Sequence, residues 1–500
     1  MIKSIRGTPI VCNHLRSLAL GLALLGSVFG TTAPADAHGN EDGPQYVAGS
    51  KTLCVVDDSR GFDETGGIID GKRLILVEAW YPADPKAARG QALARFGDYF
   101  AGDRELLLRT ERALLTTSGF APAVVEANML LAPAQFDVER GSYRDLPLAR
   151  RGGPFPVIVY SHGTLQQRFT NDSMAENLAR RGYIVLAPEH TGNDALAALG
   201  AYCPEELAEP GVKPSGLDAN PAFDAARGEY RGQTFDPFFL LGNPEPATGT
   251  INPKEVALTL DRVGDYRATL DAARRHFGRR ANIQRGKVGL IGYSRGGMHG
   301  LVGAELLPEI GASVSFVGGT PLLFYTRDEQ AAPINDALSR ASRGRRDELS
   351  RLTKPVLELI GGEDSRRKAS TDVAAAIGVY PTPSQANPSP IVQDTFDNLD
   401  RTFGVLVQVS NIDHFDLVDD PFVIAYRARG GITRTGAFDP TKTYVTREVA
   451  ERQAIRDHFV IEMFDRFIAK AAGRKGPGGG FKNPFAGQGV TEEVNAPRHH

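Results

Sequence analysis

The sequence predicts an α/β fold, with a mostly parallel central sheet, helices on both faces, and large insertions at about residues 95–131 and 191–252. Two observations predict it. Short continuous apolar runs, such as 155–160 (F-P-V-I-V-Y) and 288–291, are typical of strands that are buried on both faces of a parallel sheet. Helical patterning follows these runs, and strand, helix and strand in that order form the β-α-β unit of parallel sheets.

Strands and helices alternate along most of the chain. Strands are predicted at 52–56, 73–80, 155–160, 183–187, 288–291, 312–317, 355–360 and 405–409. Helices are predicted at 102–131, 171–181, 254–275, 295–307, 328–352, 371–377 and 446–471. Residues 191–252 are rich in Gly, Pro and acidic residues and interrupt this alternation, so we interpret them as one insertion above the sheet and a candidate lid.

The chain begins with a predicted signal peptide, residues 1–37. Basic residues precede an apolar core at 18–29, and Ala35-Asp36-Ala37 has the small-x-small pattern of a cleavage site. The apolar run is shorter than the roughly 20 residues that span a bilayer, so export is expected rather than anchoring. We therefore expect cleavage near Ala37, a periplasmic or secreted product, and no integral membrane segment in that product.

The remaining chain is predicted to form one catalytic domain, residues 38–472, and a disordered Gly/Pro-rich tail, 473–500. The chain has 57 basic and 60 acidic residues, a formal charge of −3, which gives no basic field for nucleic acid. Cys54 and Cys203 remain after processing, and an oxidising compartment leaves open whether they pair. The sequence has no Cys/His cluster of the metal-binding kind, so we expect no metal and no cofactor.

A candidate nucleophile lies at the end of the strand 288–291. Gly292-Tyr293-Ser294-Arg295-Gly296 fits the G-x-S-x-G elbow, and it stands between a strand and a helix as that motif requires. A serine at the tip of such a strained turn projects its hydroxyl away from its own backbone. The flanking glycines let the strand and the helix pass close to each other.

The base is found by elimination among the five histidines after Ser294. His299 is too close in sequence to fold back over the serine, His458 lies within the last predicted helix, and two histidines end the tail. That leaves His414, which follows the buried strand 405–409. Loops at the carboxyl ends of parallel strands are where such sheets place catalytic groups.

The acid should lie between the serine and the histidine. Asp364 follows the buried strand 355–360 and two glycines, so it is the candidate, with its neighbour Glu363 as the alternative. His414 would then take the Ser294 proton, and Asp364 would orient the imidazole.

Two backbone N–H groups are expected to form the oxyanion hole. One belongs to Arg295, the residue after the nucleophile, and the other to Thr164, in Ser161-His162-Gly163-Thr164 after the strand 155–160. His162 and His190 are expected to organise loops rather than to act on the substrate.

Four stretches give the chain a family resemblance: Trp80-Tyr81-Pro82-Ala83, 156–163 (P-V-I-V-Y-S-H-G), 182–190 (G-Y-I-V-L-A-P-E-H) and 292–297 (G-Y-S-R-G-G). With them the chain resembles the dienelactone-hydrolase-like and platelet-activating-factor-acetylhydrolase-like serine esterases of the α/β-hydrolase fold. The resemblance falls along most of residues 73–420. It implies metal-free hydrolysis of carboxylic esters, and it supports Ser294, His414 and the Thr164/Arg295 oxyanion pair.

The chain departs from this family at two places. The acetylhydrolase branch takes its acid from the strand immediately after the nucleophile, whereas here 314–320 (V-S-F-V-G-G-T) contains none. That difference favours Asp364, the usual position in the wider fold. Residues 191–252 match nothing in the family, and insertions at this point tend to shape the substrate pocket.

The sequence therefore predicts an exported serine hydrolase that cleaves a short- or medium-chain acyl ester, with lipid-derived esters among the candidates. A lipase, a polyester hydrolase or a peptidase would use the same triad. A non-catalytic binding protein on the same fold is the alternative from another class, and the ordered serine, acid and histidine argue against it.

Overall fold

The computed structural model describes residues 46–495, with gaps at 62–64, 66–71, 118–121, 165, 192–252, 320–328, 364–394, 420–432 and 436–442. The signal peptide, nearly all of the insertion 191–252 and the predicted helix 371–377 lie outside the described residues. Cys54 is disulfide-bonded. The other two cysteines, Cys12 and Cys203, also lie outside the described residues.

One sheet of 11 strands organises the described residues. Its strands are β1 (Val47–Asp57), β2 (Arg73–Ala83), β3 (Ser142–Arg144), β4 (Phe155–Ser161), β5 (Ile184–Pro188), β6 (Ala281–Asn282), β7 (Val288–Tyr293), β8 (Ile310–Phe316), β9 (Val356–Gly361), β10 (Gly404–Val409) and β13 (Val490–Asn495). A separate hairpin pairs β11 (Thr433–Thr435) with β12 (Thr443–Val445).

The strand order is β13-β10-β9-β8-β7-β4-β5-β2-β1-β3, with β6 beside β4. The six strands from β10 to β5 run parallel to one another, whereas β2 and β13 are antiparallel to their neighbours. The carboxyl ends of the parallel strands therefore share one edge of the sheet, where loops from β4, β7, β9 and β10 can meet.

Helices cover both faces of this sheet. They are α1 (Arg104–Thr117), α2 (Pro122–Met129), α3 (Ala132–Gln135), α4 (Asp172–Arg180), α5 (Pro253–Phe277), α6 (Arg295–Leu306), α7 (Ala332–Ser342) and α8 (Val449–Phe464). The last continues as a π-helical turn, Asp465–Ala469. Helix α4 ends at Arg180, and Gly182 follows the C-cap with a φ of 90°, which suits glycine and lets the chain enter β5.

Two hydrophobic cores lie against the two faces. The first joins α4 and α8 to one face through residues such as Met174, Leu178 and Phe459. The second joins α5, α6 and α7 to the opposite face through residues such as Tyr266 and Leu301. Strand β4 is buried along its whole length, as its unbroken apolar run predicts for a central parallel strand.

Several helices and strands are longer or shorter in the structure than the sequence predicts. The helical segment 102–131 contains two helices, α1 and α2, and the predicted helix 328–352 is shortened to α7 with a preceding 3-10 turn. The early strands extend further than their apolar cores, because β1 and β2 pair over eleven residues as an antiparallel ladder. Propensity alone does not place such ends, since cross-strand pairing determines them.

The prediction of a disordered tail at 473–500 is wrong for residues 473–495. Strand β13 pairs with β10 along the edge of the sheet, and Val490 is buried there. Phe481 stacks on Phe459 of α8 with ring centroids 5.8 Å apart. Strand pairing at the sheet edge and a few buried apolar side chains therefore order this segment, although its average composition predicts disorder.

Truncation after Gln488 is expected to lower the free energy of unfolding by about 3–5 kcal/mol, because it removes the ladder on β10 at roughly 1 kcal/mol per net hydrogen bond. Truncation after Asn495, which keeps β13, is the matched control. Urea denaturation of the two truncated proteins and the parent measures the difference. Equal midpoints for both truncations would show that β13 contributes no stability.

Candidate active site

The elbow has the geometry that its sequence predicts. Strand β7 ends at Tyr293, helix α6 begins at Arg295, and Ser294 between them has φ 53° and ψ −121°. A side chain at Gly292 would meet the backbone of Gly296, and one at Gly296 would meet the carbonyl of Ser161. Glycine at these positions is therefore required by close backbone approach.

Ser294 and His414 meet across 120 residues of sequence. His414 Nε2 lies 2.9 Å from Ser294 Oγ, and both residues are buried. His414 begins a 3-10 turn, His414–Leu417, after β10. The Asp413 carboxylate caps this turn by accepting the N–H of Phe415 at 3.0 Å, and the Tyr293 hydroxyl donates to the His414 carbonyl. The loop that carries His414 is thus hydrogen-bonded directly to the elbow.

The predicted acid, Asp364, lies outside the described residues. Its neighbour Glu363 is described, and its N–H donates to the carbonyl of Ile412 at 2.9 Å. A Cβ on Gly361 would lie 2.5 Å from that same carbonyl. The exit of β9 therefore runs directly beside the loop that carries His414.

The predicted oxyanion donors are the N–H of Arg295, which directly follows Ser294, and the N–H of Thr164, which directly follows Gly163. Gly163 lies so close to the elbow that a Cβ there would be 3.2 Å from the Ser294 Cβ. The N–H of Gly163 is occupied, because it donates to Gln166 Oε1 at 3.1 Å. Within the described residues, the N–H groups of Thr164 and Arg295 donate to no protein acceptor. Both remain available to a substrate oxygen.

A polar network lies buried behind this loop. His190 contacts Ser161 and Asp265, and its pKa is lowered to about 3 by burial and by Arg262 nearby. Burial alone would raise the pKa of Asp265, but Arg73 and Arg60 hold it well below its usual range. His162 belongs to the same network, because it contacts the Gly163 carbonyl through Nδ1 and the N–H of His190 through Nε2.

Sequence reasoning missed Asp265 and Tyr266. Both residues lie on α5 among apolar side chains that face the sheet, and both are fully buried. A signal for them was present in the sequence. Polar residues that interrupt the apolar stripe of a helix must be satisfied by partners inside the core.

Glu255 joins the elbow helix to α5 and was also missed. Its carboxylate lies 2.5 Å from His299 Nε2 and 3.6 Å from the Arg295 guanidinium. Burial lowers the pKa of His299 to about 4, although Glu255 opposes that shift. His299 therefore serves packing beside the elbow rather than the serine, which agrees with its elimination from the sequence.

In the described residues, no group of three His, Cys, Asp or Glu side chains is arranged to hold a metal ion. The helices described above include none that is both long and apolar enough to cross a bilayer.

Comparison with known proteins agrees with the resemblance seen in the sequence. The protein family described as "Platelet-activating factor acetylhydrolase, isoform II" matches residues 124–217, which include β4, β5 and the loop 162–164 with the predicted Thr164 donor (the oxyanion loop), but neither Ser294 nor His414. No curated protein has a significantly similar sequence.

The solved structures show the fold. A ferulic acid esterase from Streptomyces cinnamoneus has 19% sequence identity and a TM-score of 0.52, with 92% of this chain and 98% of that chain covered. The predicted α/β-hydrolase fold is confirmed. Since 509 solved chains match significantly, the fold by itself says little about the substrate.

Proposed function

We propose that this chain is an exported serine hydrolase that cleaves carboxylic esters of short or medium acyl chains through an acyl-enzyme. The observation that carries the proposal is the 2.9 Å contact between His414 Nε2 and Ser294 Oγ at a strained elbow. The acetylhydrolase match and the likeness to a ferulic acid esterase support ester hydrolysis. The signal-peptide pattern of residues 1–37 supports export.

The reaction would proceed in two halves. His414 accepts the Ser294 proton while Oγ attacks the ester carbonyl carbon, and Asp364 stabilises the imidazolium that results. The N–H groups of Thr164 and Arg295 bind the negative oxygen of the tetrahedral intermediate. His414 then protonates the departing alcohol, which leaves Ser294 acylated.

Water completes the cycle. His414 takes a proton from water as the water oxygen attacks the acyl-enzyme carbonyl, and a second tetrahedral intermediate forms in the same oxyanion hole. Its collapse breaks the bond to Ser294 Oγ, returns the proton to that oxygen and releases the carboxylic acid.

A chain-length series of p-nitrophenyl esters tests the proposal, with the Ser294→Ala protein as the blank. We expect turnover to peak at a short or medium acyl chain and to vanish in the blank. A peak at long chains would favour a lipase and contradict the proposed chain length. No turnover on any ester, equal in both proteins, would overturn ester hydrolysis and favour a binding protein. Equal, measurable turnover in both would show that Ser294 is not the nucleophile.

A further inference from the structure

A second serine, histidine and aspartate are joined in order behind the candidate active site. His190 Nε2 lies 3.0 Å from Ser161 Oγ, and His190 Nδ1 lies 2.9 Å from Asp265 Oδ2. All three residues are completely buried. A substrate therefore has no route to Ser161, and this set is not a second catalytic centre.

We infer that the Asp265–His190–Ser161 chain is a positioning device that holds the oxyanion loop so that the Thr164 N–H faces the nucleophile. This inference rests on the proposed ester hydrolysis and adds to it a set of residues that never touch the substrate. It gives a functional reason for burying these polar groups, since the burial of polar groups lowers stability unless hydrogen bonds compensate for it.

The protons of the chain can be assigned from its partners. Asp265 is ionised and can only accept, so His190 donates from Nδ1 and accepts at Nε2 from the Ser161 hydroxyl. Ser161 Oγ then accepts from the Tyr266 hydroxyl at 2.8 Å and from Arg262 Nη1 at 3.3 Å. The single proton and both lone pairs of Ser161 are used, which leaves one orientation.

This chain is connected to the oxyanion loop at successive residues. Arg262 Nη1 also donates to the His162 carbonyl at 2.7 Å. The N–H of His190 donates to His162 Nε2 at 3.2 Å, so His162 carries its proton on Nδ1 and donates to the Gly163 carbonyl at 2.7 Å. Residues 161, 162 and 163 are thus each fixed immediately before Thr164.

The far end of the chain is anchored by charge. Arg73 contacts both carboxylate oxygens of Asp265, at 2.6 and 2.8 Å, and Arg60 contacts Oδ1 at 2.8 Å. Loss of this carboxylate would remove the counter-charge of the buried Arg73 guanidinium, so Asp265 variants are poor tests. Removal of the neutral Ser161 hydroxyl breaks the same chain without removing a charge.

The experiment compares Ser161→Ala with Ser313→Ala, which deletes a buried hydroxyl on β8 away from the oxyanion loop. For each protein we would measure kcat and KM on the best p-nitrophenyl ester, and inhibition by an arylboronic acid and by the product acid. The boronic acid forms a tetrahedral adduct that occupies the oxyanion hole, whereas the product acid does not require it.

For Ser161→Ala we expect kcat to fall about 10- to 100-fold. This loss is no larger than the smallest kcat losses caused by complete removal of one oxyanion donor, because the donor is displaced and not removed. Boronic-acid affinity should fall by a similar factor, while KM and product-acid affinity stay unchanged. Ser313→Ala should leave all four quantities unchanged. A kcat loss no larger than that of Ser313→Ala would overturn the inference, as would an equal loss of affinity for both inhibitors.

Tyr266→Phe provides a second, milder variant if Ser161→Ala fails to fold. It removes only one donor to Ser161, and we expect the same pattern with a smaller factor. Unchanged boronic-acid affinity in that variant would count against the inference. Failure of the proposed function would give a different result, because then the parent would have no turnover or the Ser294→Ala protein would keep the turnover of the parent.

Discussion

Ser294→Ala and His414→Ala are each expected to lower kcat on a p-nitrophenyl ester by about 10⁶-fold, and the double variant is expected to lose no more than either single variant. The reason is geometric. Ser294 Oγ and His414 Nε2 share one hydrogen bond, so each residue is inactive without the other. Residual catalysis by the oxyanion hole should survive in all three proteins.

Steady-state kinetics of the four proteins measure this coupling, with circular dichroism to confirm that each variant folds. His458→Ala is a matched control, because His458 lies on α8 and contacts the carbonyl of Lys482 rather than the serine. Losses that add in the double variant would show that Ser294 and His414 act independently. That outcome would contradict a shared nucleophile and base.

The sequence was sufficient to predict the two candidate residues that the structure brings together, Ser294 and His414. The elbow at Ser294 follows from a glycine spacing, and His414 follows from its place after an apolar strand. The central parallel strands are predicted well because burial on both faces leaves a continuous apolar run, as in β4. These features need no knowledge of distant contacts.

The missed parts depend on contacts between distant residues. Asp265 meets His190 from 75 positions away, and Tyr266 meets Ser161 from 105 positions away. No spacing rule relates such pairs. The tail was missed for a related reason, since β13 is held by its pairing with β10 and not by its own composition.

Two buried groups should give stability opposite dependences on pH. His299 has a pKa of about 4 in the folded chain, against about 6.5 unfolded. Between these values the unfolded state binds the additional proton, so His299 lowers the free energy of unfolding as the pH falls. Burial, then Asp172, raises the pKa of Glu176 to about 7. Glu176 therefore binds its proton at a higher pH in the folded state than in the unfolded state. As the pH falls over the same interval, Glu176 raises the free energy of unfolding.

Urea denaturation of the parent, His299→Gln and Glu176→Gln between pH 6.5 and 4.5 tests both signs. His299→Gln should make the loss of stability on acidification shallower, by up to about 1.4 kcal/mol per pH unit, and Glu176→Gln should make it steeper by a similar amount. Each variant is the control for the other, because a general loss of packing would shift both curves without changing their slopes. If the two slopes changed in the same direction, one of the two assigned protonation states would be wrong.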